Sequence, residues 1–411
     1  MSSTSVARPT YAVVLRIPHA RRTFAAALLG RLSYGIVPLS VMLAVNRASG
    51  SYAVAGTVMA LFGGTSVFLS PARAALIDRY GPRRTLVPMV AAYAALLGLL
   101  TLLVRRPGAV SPLVLGAVTA AAGACTPPLG PTMRAVWGRL APDRALLQRA
   151  YSLDGVAEEL LFVSGPLLVG VLMRFAPPAA GIVFGTALIV VGTAGFVSSP
   201  AVRAVRPGDR KARRAAGGRR VLRGLGRPVA ATAAVGLALG VVDLLVVAFT
   251  EGHGYGADSV AWILAALSTG SAVGGLLNGA VTWGSSAVVR LPLLIAGLGL
   301  ALLGAGLVPG LATLAVVVAV AGFFVSPALT TAYLIADEAA APEARVQAGA
   351  WVNTAVNAGS TGGAAAAGAL AGRLPTGWCF AATGAVVLLT AAAVATGTRR
   401  ERGTGSPVPL V

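Results

Sequence analysis

Five ionisable residues interrupt long apolar stretches of the sequence and are the side chains best suited to chemistry: Arg31, Asp154, Glu158, Glu159 and Asp243. Charged groups in an apolar environment are costly and usually serve the movement of ions or substrates. Asp154 and Glu158 share one helix face because they are four residues apart, whereas Glu159 points about 100° away from Glu158. Two carboxylates that repel each other on one face indicate that one of them can take up a proton.

The stretches that hold these residues have the length and composition of membrane-spanning helices. The chain has 411 residues, 56% of them hydrophobic and 11% charged, with a mean hydropathy of +0.80, whereas a soluble protein carries roughly 25% charged residues. The apolar blocks are about 20 residues long, which is enough to cross about 30 Å of hydrocarbon as a helix. The alternating pattern of barrel strands is missing. The sequence therefore predicts an all-α integral membrane protein.

Twelve transmembrane helices are predicted from the apolar blocks. They are Phe24–Val45, Ala53–Leu76, Thr85–Val104, Ala109–Met133, Ala150–Leu172, Ala180–Ser198, Val229–Thr250, Asp258–Ala280, Val289–Leu307, Leu311–Ile335, Arg345–Leu370 and Gly377–Gly397. A basic segment at 201–228 separates them into two six-helix bundles, 24–200 and 229–397, with tails at 1–23 and 398–411.

The arrangement of charge predicts the orientation of these helices. Most arginines fall on one side of the predicted membrane, including Arg73, Arg134 and Arg149, while only Arg31 is assigned to the membrane interior. Loops on the opposite side hold few arginines, which are Arg47, Arg105, Arg106, Arg174 and Arg373. The positive-inside rule then places both termini and the linker 201–228 in the cytoplasm, as in a multi-pass protein of the cell inner membrane.

Other functional classes find little support in the sequence. The net charge of +20 comes from arginines in short alternating loops, with Lys211 as the single lysine, so nucleic-acid binding is not expected. Cys125, Cys379, His19 and His253 lack neighbours at metal-ligand spacing, so no metal site is expected. No ATP-binding loop and no nucleophile–base pair is present. We therefore predict no cofactor, no enzyme activity and no obligate protein partner.

The sequences of the two predicted bundles resemble each other at an offset near 200 residues, as in an internal repeat. Ala141-Pro142-Asp143 corresponds to Ala341-Pro342-Glu343, and Pro127 corresponds to Pro327. Asp78 falls opposite Asn278. Parallel six-helix halves are a known transporter architecture.

The loop after the second span carries the most specific motif of the chain. It runs from Ala74 to Arg84 and resembles the Gly-x-x-x-Asp-Arg-x-Gly-Arg-Arg loop of the major facilitator superfamily, with Ala74 at the first glycine and Pro82 inserted. The matching residues, which predict a cytoplasmic gating loop, are Asp78, Arg79, Gly81, Arg83 and Arg84.

The resemblance implies two six-helix bundles, transport by alternating access and a role for this loop in the outward-open state. Asp78 can pair with arginines or cap a neighbouring helix terminus. The alternative interpretation of the loop is ordinary positive-inside charge.

A second resemblance lies in the fifth span, where Gly165, Pro166 and Gly170 are similar to the Gly-Pro motif of antiporters in the same superfamily. Leu161 stands where an upstream glycine of that motif would fall. The mid-membrane arginine of the fourth span is not found, because the span carries Cys125-Thr126-Pro127-Pro128 instead.

The resemblance also makes the first and fifth helices neighbours, so that Arg31 could pair with Asp154 or Glu158. At 1.5 Å per residue, Arg31 lies about 10 Å from the cytoplasmic end, Asp154 about 6 Å and Glu158 about 12 Å. We predict that Glu158 binds the proton, that Asp154 and Arg31 are its electrostatic partners, and that Glu159 faces another helix. The alternative is a static ion pair that holds helices together. For Asp243, contact with a substrate cation and a hydrogen-bonded structural role both remain open.

The eleventh span contributes possible cavity residues, which are Trp351, Asn353 and Asn357. The glycines Gly359, Gly362 and Gly363 are expected to serve close helix packing.

Together these features predict a secondary transporter, with proton-coupled export of a small lipophilic or cationic compound as the first hypothesis. Proton-coupled uptake is the alternative, and an intramembrane enzyme is a distant one. The predicted partners are a small-molecule substrate, protons and the lipid bilayer.

Overall fold

The computed structural model describes the backbone of residues 11–105, 108, 110–205, 210–371 and 373–403, and their side chains except at 210–223, 257 and 397–403. These described residues form helices and no strand. In chain order the helices are α1 Tyr11–Arg16, α2 Ala20–Ser49, α3 Tyr52–Phe68, α4 Ser70–Tyr80, α5 Pro82–Leu103, α6 Pro112–Cys125, α7 Leu129–Leu140, α8 Arg144–Leu172, α9 Pro178–Ser198, α10 Pro200–Arg203, α11 Arg210–Gly252, α12 Ala257–Ala280, α13 Ala287–Ala305, α14 Leu311–Ala339, α15 Arg345–Ala371 and α16 Thr376–Gly403.

The long helices confirm the predicted membrane architecture. Within the described residues, 11 helical segments are long and apolar enough to cross a membrane, with α3–α4 and α6–α7 each counted as one segment. Helix α15 is the remaining long helix; its 27 residues suffice for a span, but Asn353, Asn357 and Ser360 lower its hydropathy. An all-helical protein with this number of spans agrees with the predicted fold.

Two boundaries differ from the sequence-based prediction. The segment 201–228 was predicted to be a linker between the two bundles; the two compact units divide inside it, at Gly217–Gly218, and helix α11 begins within it at Arg210 and continues to Gly252. Residues 206–209 lie outside the described part of the chain. The fourth span was expected to end at Met133, whereas α7 continues to Leu140. Arg134 therefore lies inside a span and not in a loop, because one arginine does not stop a helix that neighbouring helices shield.

The described chain divides into two compact units. The first unit comprises Met1–Ala150, Ala157–Gly217 and Ala341–Thr354, and the second comprises Tyr151–Val156, Gly218–Ala340 and Ala355–Val411. Each unit thus includes a short piece of a helix that otherwise belongs to the other one. The two pieces, 151–156 and 341–354, are about 200 residues apart, which agrees with the offset of the sequence repeat.

Glycines bring helices α2 and α9 of the first unit into close contact. A Cβ atom built on Gly192 would lie 2.2 Å from the backbone nitrogen of Gly30, so only glycine allows this approach. The hydrophobic effect does not drive helix association in lipid. Small residues at such contacts stabilise it by allowing close van der Waals packing of the two backbones.

The second unit uses the same device between α11 and α15. Cβ atoms on Gly359 and Gly363 would lie 2.2 Å and 2.3 Å from carbonyl oxygens of α11. The structure therefore agrees with the packing role expected for these two glycines. Gly362 differs, because a Cβ there would meet no atom within 4 Å.

The N-terminal helix α1 belongs to the first unit and packs against α2. Val14 is fully buried. Burial raises the pKa of the Tyr11 phenol to about 12, and the guanidinium of Arg149 opposes this shift.

Candidate functional site

Two consecutive prolines break the fourth span. Helix α6 ends at Cys125 and α7 begins at Leu129, with Thr126, Pro127 and Pro128 between them. Proline has no backbone N–H, so Pro127 and Pro128 cannot donate to the carbonyls of Gly123 and Ala124 four residues earlier. The carbonyl of Gly123 accepts the backbone N–H of Thr126 at 3.2 Å instead, and the carbonyl of Ala124 loses its helical donor, so side-chain donors can bind both carbonyls at this break.

Arg73 supplies these donors. One nitrogen of its guanidinium donates to the carbonyls of Gly123 and Ala124, each at 3.1 Å. The same side chain also donates to the carbonyls of Thr65, at 3.3 Å, and of Ser66, near the C-terminus of α3. With 6% of its surface exposed, Arg73 joins the ends of two helices whose C-terminal carbonyls attract a cation.

Tyr34 holds the other side of the same break. Its hydroxyl donates to the carbonyl of Pro127 and accepts the backbone N–H of Leu129, the first residue of α7, at 3.3 Å. A side chain of α2 therefore holds the start of α7, and a side chain of α4 holds the end of α6.

An ionic cluster lies next to this break, inside the spans of the first unit. The Nη2 atom of Arg31 is 2.9 Å from Oε1 of Glu158, and Nη2 of Arg134 contacts Oε2 of the same carboxylate. The side chains of the two arginines are 1% and 5% exposed, whereas that of Glu158 is 24% exposed. One carboxylate is thus shared by two guanidinium groups, each held on a different helix.

Gly130 borders the cluster without a side chain. A Cβ atom at this position would lie 3.8 Å from Nε of Arg31, 3.8 Å from Oε1 of Glu158 and 3.9 Å from Nη1 of Arg134. These are ordinary van der Waals distances, so the fold leaves room for one methyl group next to all three charged side chains.

The predicted charged residues take different places. Arg31 contacts Glu158, which was one of the two partners considered for it, the other being Asp154. Asp154 is fully buried in the second unit, and Glu159 is half-buried. Asp243 is exposed on α11, and both roles considered for it stay predictions.

Sequence reasoning missed Arg134 and Arg73 as functional residues. Both were counted only among the arginines of the cytoplasmic side, and the structure buries them at 4% and 6% exposure. The fourth span therefore does carry a buried arginine, beyond the prolines and not before them. The available signal was Pro127-Pro128 within a continuous apolar stretch, because such a break requires polar groups to satisfy the freed carbonyls.

The predicted gating loop makes the helix cap that Asp78 was expected to make. Its Oδ2 atom accepts the backbone N–H of Gln347 at 2.8 Å, and Oδ1 accepts that of Val346 at 3.3 Å. Both N–H groups lie in the first turn of α15, within the segment 341–354 of the first unit. A carboxylate is favourable there because the N-terminus of a helix is its positive end.

The other loop residues have distinct environments. Gly81 has a φ of 86°, a conformation that favours glycine, and joins α4 to α5. The guanidinium of Arg79 lies 4.9 Å from the ring centre of Tyr80. Arg83 and Arg84 are exposed at the start of α5.

The equivalent loop of the second unit carries a neutral side chain, Asn278, at the position of Asp78. Asn278 donates from its side chain to the hydroxyl of Ser152 at 3.4 Å, within the second unit. Arg290 lies 5.0 Å above the ring of Trp283. A neutral side chain thus stands where the first half has Asp78.

Sequence comparison now decides the family. The family model described as Major Facilitator Superfamily matches residues 23–255 and 229–410. The chain belongs to this superfamily. No curated protein matches the sequence significantly.

Solved structures of several transporters share the fold at low sequence identity. The human organic anion transporter MFSD10 (TETRAN) is 16% identical with a TM-score of 0.69, over 92% of this chain and 99% of that one. A bacterial homologue of the iron transporter ferroportin, in an outward-facing state, is 14% identical with a TM-score of 0.71, over 92% and 99%. A variant of the E. coli fucose:proton symporter FucP is 15% identical with a TM-score of 0.65, over 90% and 98%. At these identities the likeness shows the fold alone.

The Gly-Pro motif of this superfamily member packs α8 against α2. A Cβ atom on Gly165 would lie 2.6 Å from Cα of Gly35, whereas one on Gly170 would meet no atom within 4 Å. Pro166 lies inside the continuous helix α8. The first glycine of the motif is therefore a packing residue, and the second is exposed.

We expect Gly165→Ala to destabilise the protein by about 1–3 kcal/mol, because backbone atoms of α2 have to move to admit the methyl group. Thermal unfolding in detergent micelles, followed by tryptophan fluorescence, measures the change. Gly170→Ala is the matched control and should unfold like the wild type. Equal stabilities of the two variants would contradict the packing role of Gly165.

The remaining predicted residues lie away from the ionic cluster. Trp351, Asn353 and Asn357 on α15 are half-buried, and their place in a cavity stays a prediction. A cavity of about 710 Å³ in the first unit is lined by the C-terminal ends of α2 and α5 and the start of α9, including Arg47 and Arg105. It contains no member of the ionic cluster. Within the described residues no cluster of metal-ligating side chains occurs.

Proposed function

We propose that this superfamily member is a secondary active transporter that moves a small solute by alternating access and couples this movement to protons. The observation that carries the proposal is the contact of Glu158 with Arg31 and Arg134 inside the spans. A buried ion pair adds little stability compared with apolar packing. Charged side chains at membrane depth are therefore best explained by transport.

Within this cluster Glu158 is the group proposed to carry the proton. Guanidinium groups keep their charge at all physiological pH values, so the carboxylate is the member of the cluster that can gain or lose a proton. Protonation removes the attraction to both arginines at once. The cluster then has two arrangements, which is what coupling between proton binding and a conformational change requires.

Two directions of transport are candidates. Export of a small lipophilic or cationic compound is supported by the partial antiporter motif at Gly165 and by the exposed carboxylate of Asp243 in a span. Uptake is supported by the buried arginines Arg31 and Arg134, which favour an anion that enters together with a proton. In either case the protein is proposed to lie in the cell inner membrane with both termini in the cytoplasm.

The direction can be measured in membrane vesicles of both orientations. Everted vesicles are energised by respiration until their interior is acid, and antibiotics, dyes and metabolites are added in turn. Export predicts that a substrate dissipates the proton gradient only when the protein is present. Uptake predicts that right-side-out vesicles accumulate the substrate when protons flow inward.

We expect Glu158→Gln to preserve expression and folding but to abolish the dependence of transport on the proton gradient. The amide has the same shape as the carboxylate and does not take up a proton at physiological pH. Glu251→Gln, at an exposed carboxylate at the end of α11, is the control. Unchanged proton dependence in Glu158→Gln would rule out this residue as the proton carrier.

A further inference from the structure

We propose that Arg31 and Arg134 bind a carboxylate group of the transported solute, and that Glu158 occupies this binding site while no solute is present. The inference rests on the proposed function and deepens it by naming the substrate class, which is a small organic anion. It assigns the cluster to substrate binding as well as to proton coupling.

The first argument is the geometry of the contact. Each oxygen of the Glu158 carboxylate is used by a different arginine, with Arg31 on Oε1 at 2.9 Å and Arg134 on Oε2. A carboxylate of a solute has two oxygens at the same spacing and can make the same pair of contacts. Planar guanidinium groups are the side chains best matched to this recognition.

The second argument is the difference in burial within the cluster. Arg31 and Arg134 are 2% and 4% exposed, so their positions are fixed by the surrounding helices. The side chain of Glu158 is 24% exposed. The carboxylate of Glu158 is thus the accessible member of the cluster, and the guanidinium groups of Arg31 and Arg134 line the site that it occupies.

The third argument is the space beside Gly130. The atoms of all three charged side chains lie within about 4 Å of the position that a Cβ would take, and no side chain fills it. Gly130 is the second residue of α7, a helix of 12 residues whose N-terminus faces the break in the fourth span. The positive end of that helix adds to the attraction for an anion.

Protonation of Glu158 links anion binding to the proton. Within the first unit, Glu158 faces Arg31 and Tyr34 from α2 and Arg134 from α7, and on its own helix Asp154 lies one turn before it and Glu159 next to it. Ionised Glu158 competes with the solute for both arginines, whereas protonated Glu158 does not. The anion and the proton should therefore bind together and move in the same direction.

The test uses three probes of one shape and different charge, added to the purified full-length protein in lipid nanodiscs. Benzoate is the anion, benzamide the neutral form and benzamidinium the cation. Their binding is followed by thermal unfolding at about pH 5.5 and about pH 8, where benzoate stays ionised. We expect benzoate alone to stabilise the wild-type protein, and to do so at the lower pH.

Variants then locate the effect. Glu158→Gln should bind benzoate about tenfold more tightly than the wild type at pH 8, because the competing carboxylate is gone. Arg134→Gln and Arg31→Gln should lose benzoate binding, while Arg174→Gln, at an exposed arginine, should keep it. Gly130→Ala should fold normally, because its methyl group meets only van der Waals contacts, yet it should bind benzoate at least fivefold more weakly.

Several results would overturn the inference. They are stabilisation by benzamidinium and not by benzoate, no benzoate binding by Glu158→Gln, and equal binding by wild type and Gly130→Ala. The last comparison remains decisive if the arginine variants do not fold. Because binding is measured without a proton gradient, a failure here is distinguishable from a failure of proton coupling in the vesicle experiments.

Discussion

Replacement of Arg73 by methionine should destabilise the protein by roughly 3 kcal/mol or more. The guanidinium donates to the carbonyls of Gly123 and Ala124, which Pro127 and Pro128 cannot reach with an N–H; Gly123 keeps a bond from the N–H of Thr126, whereas Ala124 loses its helical donor. Methionine fills a similar volume but has no donor. Unfolding of the purified protein should therefore occur at least several degrees below that of the wild type.

A suppressor experiment tests this explanation directly. In the Arg73→Met background, Pro127→Ala together with Pro128→Ala restores two backbone donors four residues after Gly123 and Ala124. We expect this triple variant to regain part of the lost stability. Arg174→Met, at an exposed position, controls for the loss of one arginine. If the two alanines lower stability in the Arg73→Met background as much as in the wild type, the residues are not coupled and the explanation fails.

Replacement of Asp78 by alanine should reduce transport about tenfold while leaving expression unchanged. The carboxylate caps α15 through the N–H groups of Val346 and Gln347, and such a cap contributes about 1–2 kcal/mol. A change of this size alters an equilibrium between two conformations roughly 5- to 30-fold. Initial rates of transport in vesicles, normalised to protein amount, measure the effect.

A second variant distinguishes two roles of Asp78, which are to cap the N-terminus of α15 and to connect the loop after α4 to residues 341–354. The residue before α15 is Ala344, which offers no side-chain cap, whereas Asp143 caps α8 locally through the N–H of Leu146 at 2.8 Å. Ala344→Ser in the Asp78→Ala background supplies a local cap. Recovery of transport would show that α15 needs only a capped N-terminus. We expect no recovery, because the local serine does not connect the loop after α4 to residues 341–354. Asp258→Ala, at an exposed helix start, is the control.

The membrane architecture followed directly from the sequence. Hydrocarbon admits helices whose length matches its thickness, so the apolar blocks alone determined the number and approximate limits of the spans. The loop from Ala74 to Arg84 indicated the family, because its charged and glycine residues occur at fixed spacing, and the match of the family model then showed it. The cap by Asp78 was predictable in kind, since a carboxylate at a span end favours a helix N-terminus, although its partners were not.

The linker showed where composition misleads. The segment 201–228 is basic and contains glycines, which suggested a linker between the two bundles; the two compact units divide inside it, and α11 begins within it at Arg210. Arginine and alanine are good helix formers, and a helix that enters the membrane at Pro228 can extend outward at little cost. Local composition therefore did not decide between a linker and a helical extension.

Tertiary structure alone decided the ionic cluster. The sequence supplied Arg31 and Glu158 as candidates, but it did not indicate that Arg134 joins them. The local sequence around an arginine in a short loop looks the same as that around an arginine at a buried helix end. Only the packing of α2, α7 and α8 brings both arginines onto one carboxylate and leaves Gly130 beside them. Arg73 shows the same limit. Pro127 and Pro128 indicated that carbonyls in this span lack their helical donors, whereas the fold determined which distant side chain donates to them.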